Sequence, residues 1–215
     1  MRERGKIWAV LLPVCLLAAG EASALGNAAA GQNKAATCSP CHGADGISPN
    51  PEWPKLAGQV PEYIVKQWHD FKAGRRSNEL MSPMAQPLGK TDIEDLAAYF
   101  AAQQPKAGEA KAELRARGEQ IYLKGKQRPT VIACVGCHGP RGEGNRDWGK
   151  NLAAPPAVLA PALGGQHAAY VAKQLQDYKK KLRRNDVGHV MRDIASRLSE
   201  EDILAVAEYI TSLQR

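Results

Sequence analysis

Apolar positions recur along the chain at helical spacing. After Pro61, residues Ile64, Val65, Trp68 and Phe71 fall on one face of a helix that Gly74 closes. A later block, Val171, Leu175, Tyr178 and Leu182, repeats the spacing. Ile93, Leu96, Ala97 and Phe100 follow Thr91-x-x-Glu94, which reads as a capping box, and Ile203, Val206, Ala207 and Ile210 follow Ser199-x-x-Asp202, a weaker one. Leu114, Gly118, Ile121 and Tyr122 mark a further helix whose glycine suits close helix–helix contact. No segment alternates apolar and polar residues convincingly, so the predicted class is all-α.

These blocks belong to an internal duplication. At an offset of 107, Pro54-Lys55-Leu56-Ala57-Gly58-Gln59 matches Pro161-Ala162-Leu163-Gly164-Gly165-Gln166, and Tyr63, Gln67, Phe71 and Asn78 match Tyr170, Gln174, Tyr178 and Asn185. At 110, Asp92-Ile93 matches Asp202-Ile203. The second copy therefore carries extra residues after its motif, with Gly139 to Gly149 as their natural home, and three more before Met191. The polar run from Gln103 to Ala112 separates the copies. The expected division is residues 25–104, a linker 105–111, and residues 112–215.

The N-terminus reads as a secretory signal over residues 1–24. Arg2, Arg4 and Lys6 precede the apolar run Ile7 to Ala19, and Ala22-Ser23-Ala24 is the cleavage site. The run is too short to span a bilayer comfortably, so an exported, soluble protein is expected. Cleavage removes Cys15 and leaves Cys38, Cys41, Cys134 and Cys137. A disulfide within either Cys-x-x-Cys pair would close a tiny loop and add little stability.

Cys38-Ser39-Pro40-Cys41-His42 and Cys134-Val135-Gly136-Cys137-His138 both match C-x-x-C-H, the c-type haem attachment signature. Two thiols one short turn apart can add to the two vinyl groups of a porphyrin, and the next residue offers an imidazole to the iron. Zinc binding and a thioredoxin-like redox pair compete for such clusters, although the latter needs a βαβ context missing here. With only two Phe in 215 residues, a buried macrocycle in each half would also supply apolar bulk. For the opposite axial position the repeat aligns Met81 with Met191, whereas Met84 falls opposite Ile194. Met81 and Met191 are therefore the expected ligands, Met84 and His189 are not, and His69 and His167 receive no role.

Tandem domains with these motifs, the Leu-Ala-Gly-Gln and Leu-Gly-Gly-Gln blocks, and the Met-Ser-Pro-Met and Met-Arg-Asp-Ile loops resemble the dihaem cytochrome c4 family. The resemblance implies two class I cytochrome c domains, each around one covalent haem c. It implies thioether links at Cys38, Cys41, Cys134 and Cys137, and axial ligands His42, Met81, His138 and Met191. It further implies a periplasmic carrier, not an enzyme, passing electrons from a quinol–cytochrome c reductase toward a terminal oxidase. A dihaem enzyme, peroxidase-like or oxidising sulfur compounds, and a subunit of a larger oxidoreductase are the alternatives.

Charge adds a partner expectation. Residues 25–104 carry seven Lys/Arg against eight Asp/Glu, whereas residues 105–215 carry 19 against 12. The run Lys179-Lys180-Lys181-Leu182-Arg183-Arg184 is the candidate for docking on an acidic partner or, peripherally, an anionic membrane surface. No nucleic-acid partner is expected.

Overall fold

The computed structural model describes residues 26–145 and 160–215. The signal segment and most of the expected insertion lie outside them. The first domain contains α1 (Ala28–Lys34), the single turn α2 (Ser39–His42), α3 (Pro61–Lys72), α4 (Met81–Ala85) and α5 (Lys90–Ala101). The second contains α6 (Ala112–Lys124), a hairpin of β1 (Lys126–Gln127) and β2 (Thr130–Val131), α7 (Val135–His138), α8 (Ala168–Lys179), α9 (Val190–Ser196) and α10 (Glu200–Ser212). Among the described residues, no helix is long and apolar enough to cross a membrane.

Each domain is built on a crossing of its first and last long helices, α1 on α5 and α6 on α10. The crossing points explain two glycines. A Cβ at Gly31 would lie 2.0 Å from the Asp95 carbonyl oxygen, and one at Gly118 would lie 2.1 Å from that of Ala205. Near the crossings the domains exchange bulk between positions. Small Ala35 accompanies large Phe100 in the first core, whereas Tyr122 accompanies Ile210 in the second, and all four are buried. Interiors packed to crystal density tolerate such volume-conserving exchange best.

Five local features depart from the sequence reading. The hairpin was not expected; Gly31 and Gly118 stand 87 apart and the Cys-x-x-Cys motifs 96 apart, so it absorbs nine residues the duplicate lacks. Helix α5 begins at Lys90, one residue before Thr91: the Asp92 carboxylate accepts from the Gly89 N–H at 3.0 Å, so Gly89 is the cap and Thr91 lies inside the first turn. At Ser199 both reciprocal bonds of a capping box form, at 3.0 and 3.1 Å, so the expected weaker cap is the complete one. The 11-residue insertion lies farther along than its glycine-rich start, because Asn145 and Ala160 pair backbone to backbone and close its base.

The fifth departure concerns the end of α8. The helix stops at Lys179, and Lys181 takes a left-handed φ of 59°, where the duplicate has Gly74 at 71°. Leu182 is thereby turned outward, 73% exposed, instead of continuing the apolar face. Arg183, expected on a docking surface, is 6% exposed and lies in the seam between the domains. The basic surface therefore reduces to Lys180, Lys181 and Arg184, which pair with no carboxylate among the described residues.

Candidate functional site

Each C-x-x-C-H segment is one helical turn. Cys38 caps α2 and Cys134 caps α7, so within each motif the two sulfurs and the imidazole project from a single turn. Gly43 and Gly139 end these turns at φ 79° and 81°, which a side chain would strain. His42 and His138 are buried, and each donates its Nδ1–H at 2.9 Å, to the carbonyls of Pro54 and Pro161 respectively. That bond fixes the tautomer, leaves Nε2 as the free donor atom and makes it a better electron donor to a metal. Burial holds both imidazoles below their ordinary pKa, hence neutral and ligand-competent at neutral pH.

Cys38, Cys41, Cys134 and Cys137 form no disulfide. Burial raises Cys38 and Cys137 and pushes Cys134 up to about 12. A redox-active or zinc-binding pair is normally held as thiolate by a depressed pKa. No group of three His, Cys, Asp or Glu side chains gathers among the described residues to hold a metal ion unaided. Cys38 and Cys134 beside an apolar core, each with a second cysteine and an imidazole on the same turn, fit thiol addition to haem vinyl groups.

The methionines differ in burial. Met81 packs on the core cluster that includes Trp68, Phe71 and Phe100, with Cys38 against the same cluster. Met191 and Cys134 pack likewise on the second core. Met84 is 46% exposed, His189 is exposed, and His69 lies on the outer face of α3. The two methionine loops are held differently. In the first domain Asn78 Oδ1 accepts from Leu80 N at 3.1 Å and Met81 N at 2.9 Å, a local cap. In the second, three additional residues displace Asn185 from that task. Its Nδ2 instead donates across the seam to Gln67 Oε1 at 3.0 Å and Asp70 Oδ2 at 2.7 Å, and its carbonyl accepts from Lys66 Nζ at 2.8 Å. Asp186 takes over the cap, accepting from Arg192 N at 3.0 Å and Nε at 2.7 Å.

The seam is polar and follows a pseudo-twofold. Arg183 donates to Tyr63 and Gln67 of the first domain at 2.8 and 3.1 Å while lying over its own Tyr178 ring. Arg76 mirrors it, donating to Tyr170 and Gln174 at 3.1 and 2.9 Å over its own Phe71 ring. Arg215 donates to the carbonyls of Gly164, Ala57 and Gly58, and so joins both halves. Lys55 Nζ is held by the Gly165 and Lys106 carbonyls, and burial followed by the nearby Arg215 charge lowers its pKa. His167, assigned no role from sequence, bonds Ser48 O across the seam at 2.8 Å. Aligned positions flagged Gln67, Gln174 and the Gln59/Gln166 pair, but no periodicity shows which face meets the other domain.

The cytochrome c family model matches residues 28–104 and again 115–214. The chain is a cytochrome c4-type member of the cytochrome c family. Cytochrome c4 of Pseudomonas aeruginosa is 47% identical over 195 residues, spanning 90% of this chain and 92% of that protein. The crystal structure of reduced cytochrome c4 from Pseudomonas stutzeri superposes with a TM-score of 0.80 at 44% identity, covering 88% of this chain and all of the other. A thiosulfate dehydrogenase electron acceptor of Thiomonas intermedia is 34% identical over 86% of this chain and 82% of its own length. The family's cofactors are two covalent haem c groups, one per domain, and the protein is a dihaem electron carrier.

Proposed function

We propose that Cys38 and Cys41 bind the first haem and Cys134 and Cys137 the second through thioether links, with His42 and Met81, and His138 and Met191, as axial ligands. The observation that carries this reading is the duplicated turn: two C-x-x-C-H segments, each with its buried histidine Nδ1 bound 2.9 Å from an equivalent proline carbonyl. When bound, haem supplies the one-electron ferric–ferrous couple. The chain's own residues hold the imidazoles in one tautomer, place both thiols of each pair on the same turn and set the site against an apolar core. Thioether ligation by Met81 and Met191 would favour the reduced state and would occupy the position that oxygen chemistry needs.

The protein acts in the periplasm after removal of residues 1–24, taking electrons from a quinol–cytochrome c reductase and delivering them toward a terminal oxidase. Docking uses the basic turn Lys180, Lys181 and Arg184 on an acidic partner, with an anionic membrane surface as the other candidate. The 34% identical acceptor favours a second reading of the donor, a thiosulfate dehydrogenase. Mass spectrometry and a ferric spectrum of the exported protein test the core of this reading. Two haem masses on a chain beginning at Leu25, with low-spin spectra and a sulfur-to-iron band, are expected. A high-spin ferric haem that turns over peroxide would replace the carrier with an enzyme.

A further inference from the structure

Each half of the duplication reaches across the seam to the peptide that orients the other half's histidine. Gln59 Oε1 accepts from Ala162 N at 2.8 Å, and its Nε2 donates to Ala162 O at 2.9 Å. The Ala162 N–H belongs to the same peptide group as the Pro161 carbonyl, which accepts from His138 Nδ1 at 2.9 Å. In the reverse direction Gln166 Oε1 accepts from Lys55 N and its Nε2 donates to Lys55 O, both at 2.9 Å. The Lys55 N–H completes the peptide whose Pro54 carbonyl accepts from His42 Nδ1, again at 2.9 Å. Both glutamines are buried. The arrangement occurs twice in one chain, each time between opposite domains.

A peptide group is conjugated, so a bond accepted from its N–H moves electron density onto its carbonyl oxygen. Linked hydrogen bonds strengthen one another in this way, more so away from water. The sequence glutamine oxygen, peptide, imidazole Nδ1–H therefore ends at the ring whose Nε2 would bind the haem iron. A stronger bond at Nδ1 makes the imidazole a more basic ligand and favours the ferric state.

We propose that Gln59 and Gln166 are positioning residues, each tuning the haem of the opposite domain through that domain's axial histidine. The inference rests on His42 and His138 being the axial ligands. Loss of the glutamine oxygen weakens the histidine's bond and raises the potential of the opposite haem only. The local bonds of Gln59 to Val60 N and of Gln166 to His167 N touch neither histidine's carbonyl.

Redox titration of the haem-loaded protein tests this, with Met81→His and Met191→His variants assigning each wave to its domain. Gln59→Met is expected to raise the potential of the haem on His138, up to a tenfold change in its ferrous-to-ferric ratio or about 59 mV. The haem on His42 should not move, and the Nδ1–H proton resonance of ferrous His138 should shift upfield. Gln166→Met should give the mirror result. Gln59→Glu, which keeps the acceptor oxygen, should leave the potential at or below wild type. A shift confined to the mutated domain, equal shifts in both, no shift, or a rise with Gln59→Glu would overturn the proposal. His138→Ala serves as the separate check: unchanged second-site ligation there would instead remove the axial assignment beneath it.

Discussion

Replacing Lys66, a first-domain residue, should loosen the methionine of the second haem. Its ammonium lies 2.8 Å from the Asn185 carbonyl and 2.5 Å from Asp70, with only 12% of the side chain exposed. Lys66→Met removes a charged donor from the carbonyl that begins the Met191 loop, six residues before the ligand. A hydrogen bond to a charged group contributes roughly 1.5–3 kcal/mol when buried. Asn185 is half-buried, and water recovers part of that loss, so about 1.5 kcal/mol should reach the loop. That corresponds to about a tenfold fall in the ratio of bound to released methionine. In a Met81→His background the sulfur-to-iron band reports the second haem alone, and cyanide should displace Met191 about ten times more readily. In the reciprocal Met191→His background, displacement of Met81 should change less than about twofold, because Asn78 caps that loop locally at 2.9 and 3.1 Å. Lys66→Arg should restore most of the difference. Equal sensitivity of both haems, or of neither, would refute the claim that the second loop is anchored on the first domain.

Met81→Ala should abolish the first haem's sulfur band while Met84→Ala leaves it nearly intact; the reverse pattern would shift the ligand by one helical turn. Gly118→Ala should destabilise the second domain by about 3 kcal/mol in chemical denaturation, since its Cβ meets the Ala205 carbonyl at 2.1 Å and both are helix backbone. Burial raises the Asp202 carboxyl, but Lys126, the Ser199 N–H and Arg117 together hold it well below the ordinary carboxylate range. Its contribution is thus fully present above about pH 5 and fades as pH falls through the depressed value. Asp202→Asn should accordingly cost about 2 kcal/mol at pH 7, less than for a fully buried pair because Arg117 is 41% exposed, and the gap should narrow in acid unfolding curves. Reversing Lys180 and Lys181 to Glu should slow electron transfer to an acidic partner and flatten its dependence on ionic strength; an unchanged rate across salt concentrations would remove the docking role.

The chain's local chemistry was legible from residue order. Helical periodicity located α3, α5, α6, α8 and α10, because one apolar stripe per helix is required to bury against the core whatever its partner is. The paired C-x-x-C-H motifs depend only on neighbours within one turn, and the duplication aligned Met81 with Met191 without any coordinates. What tertiary structure decided is direction and distance between segments remote in sequence. Leu182 continues the periodicity of α8 on paper, yet the left-handed turn at Lys181 sends it to solvent and buries Arg183 instead. A guanidinium enters such a seam only where Tyr63, Gln67, Gln174 and Asn185 converge to satisfy its N–H groups, and that convergence exists only after two domains meet. The glutamines show the same division. Repetition marked Gln59 and Gln166, but a side chain bonding a peptide 103 or 111 positions away leaves no periodic trace. Local physics made the two C-x-x-C-H turns; the pseudo-twofold packing of the duplicated domains set which side chains reach across the seam to the peptides beside them.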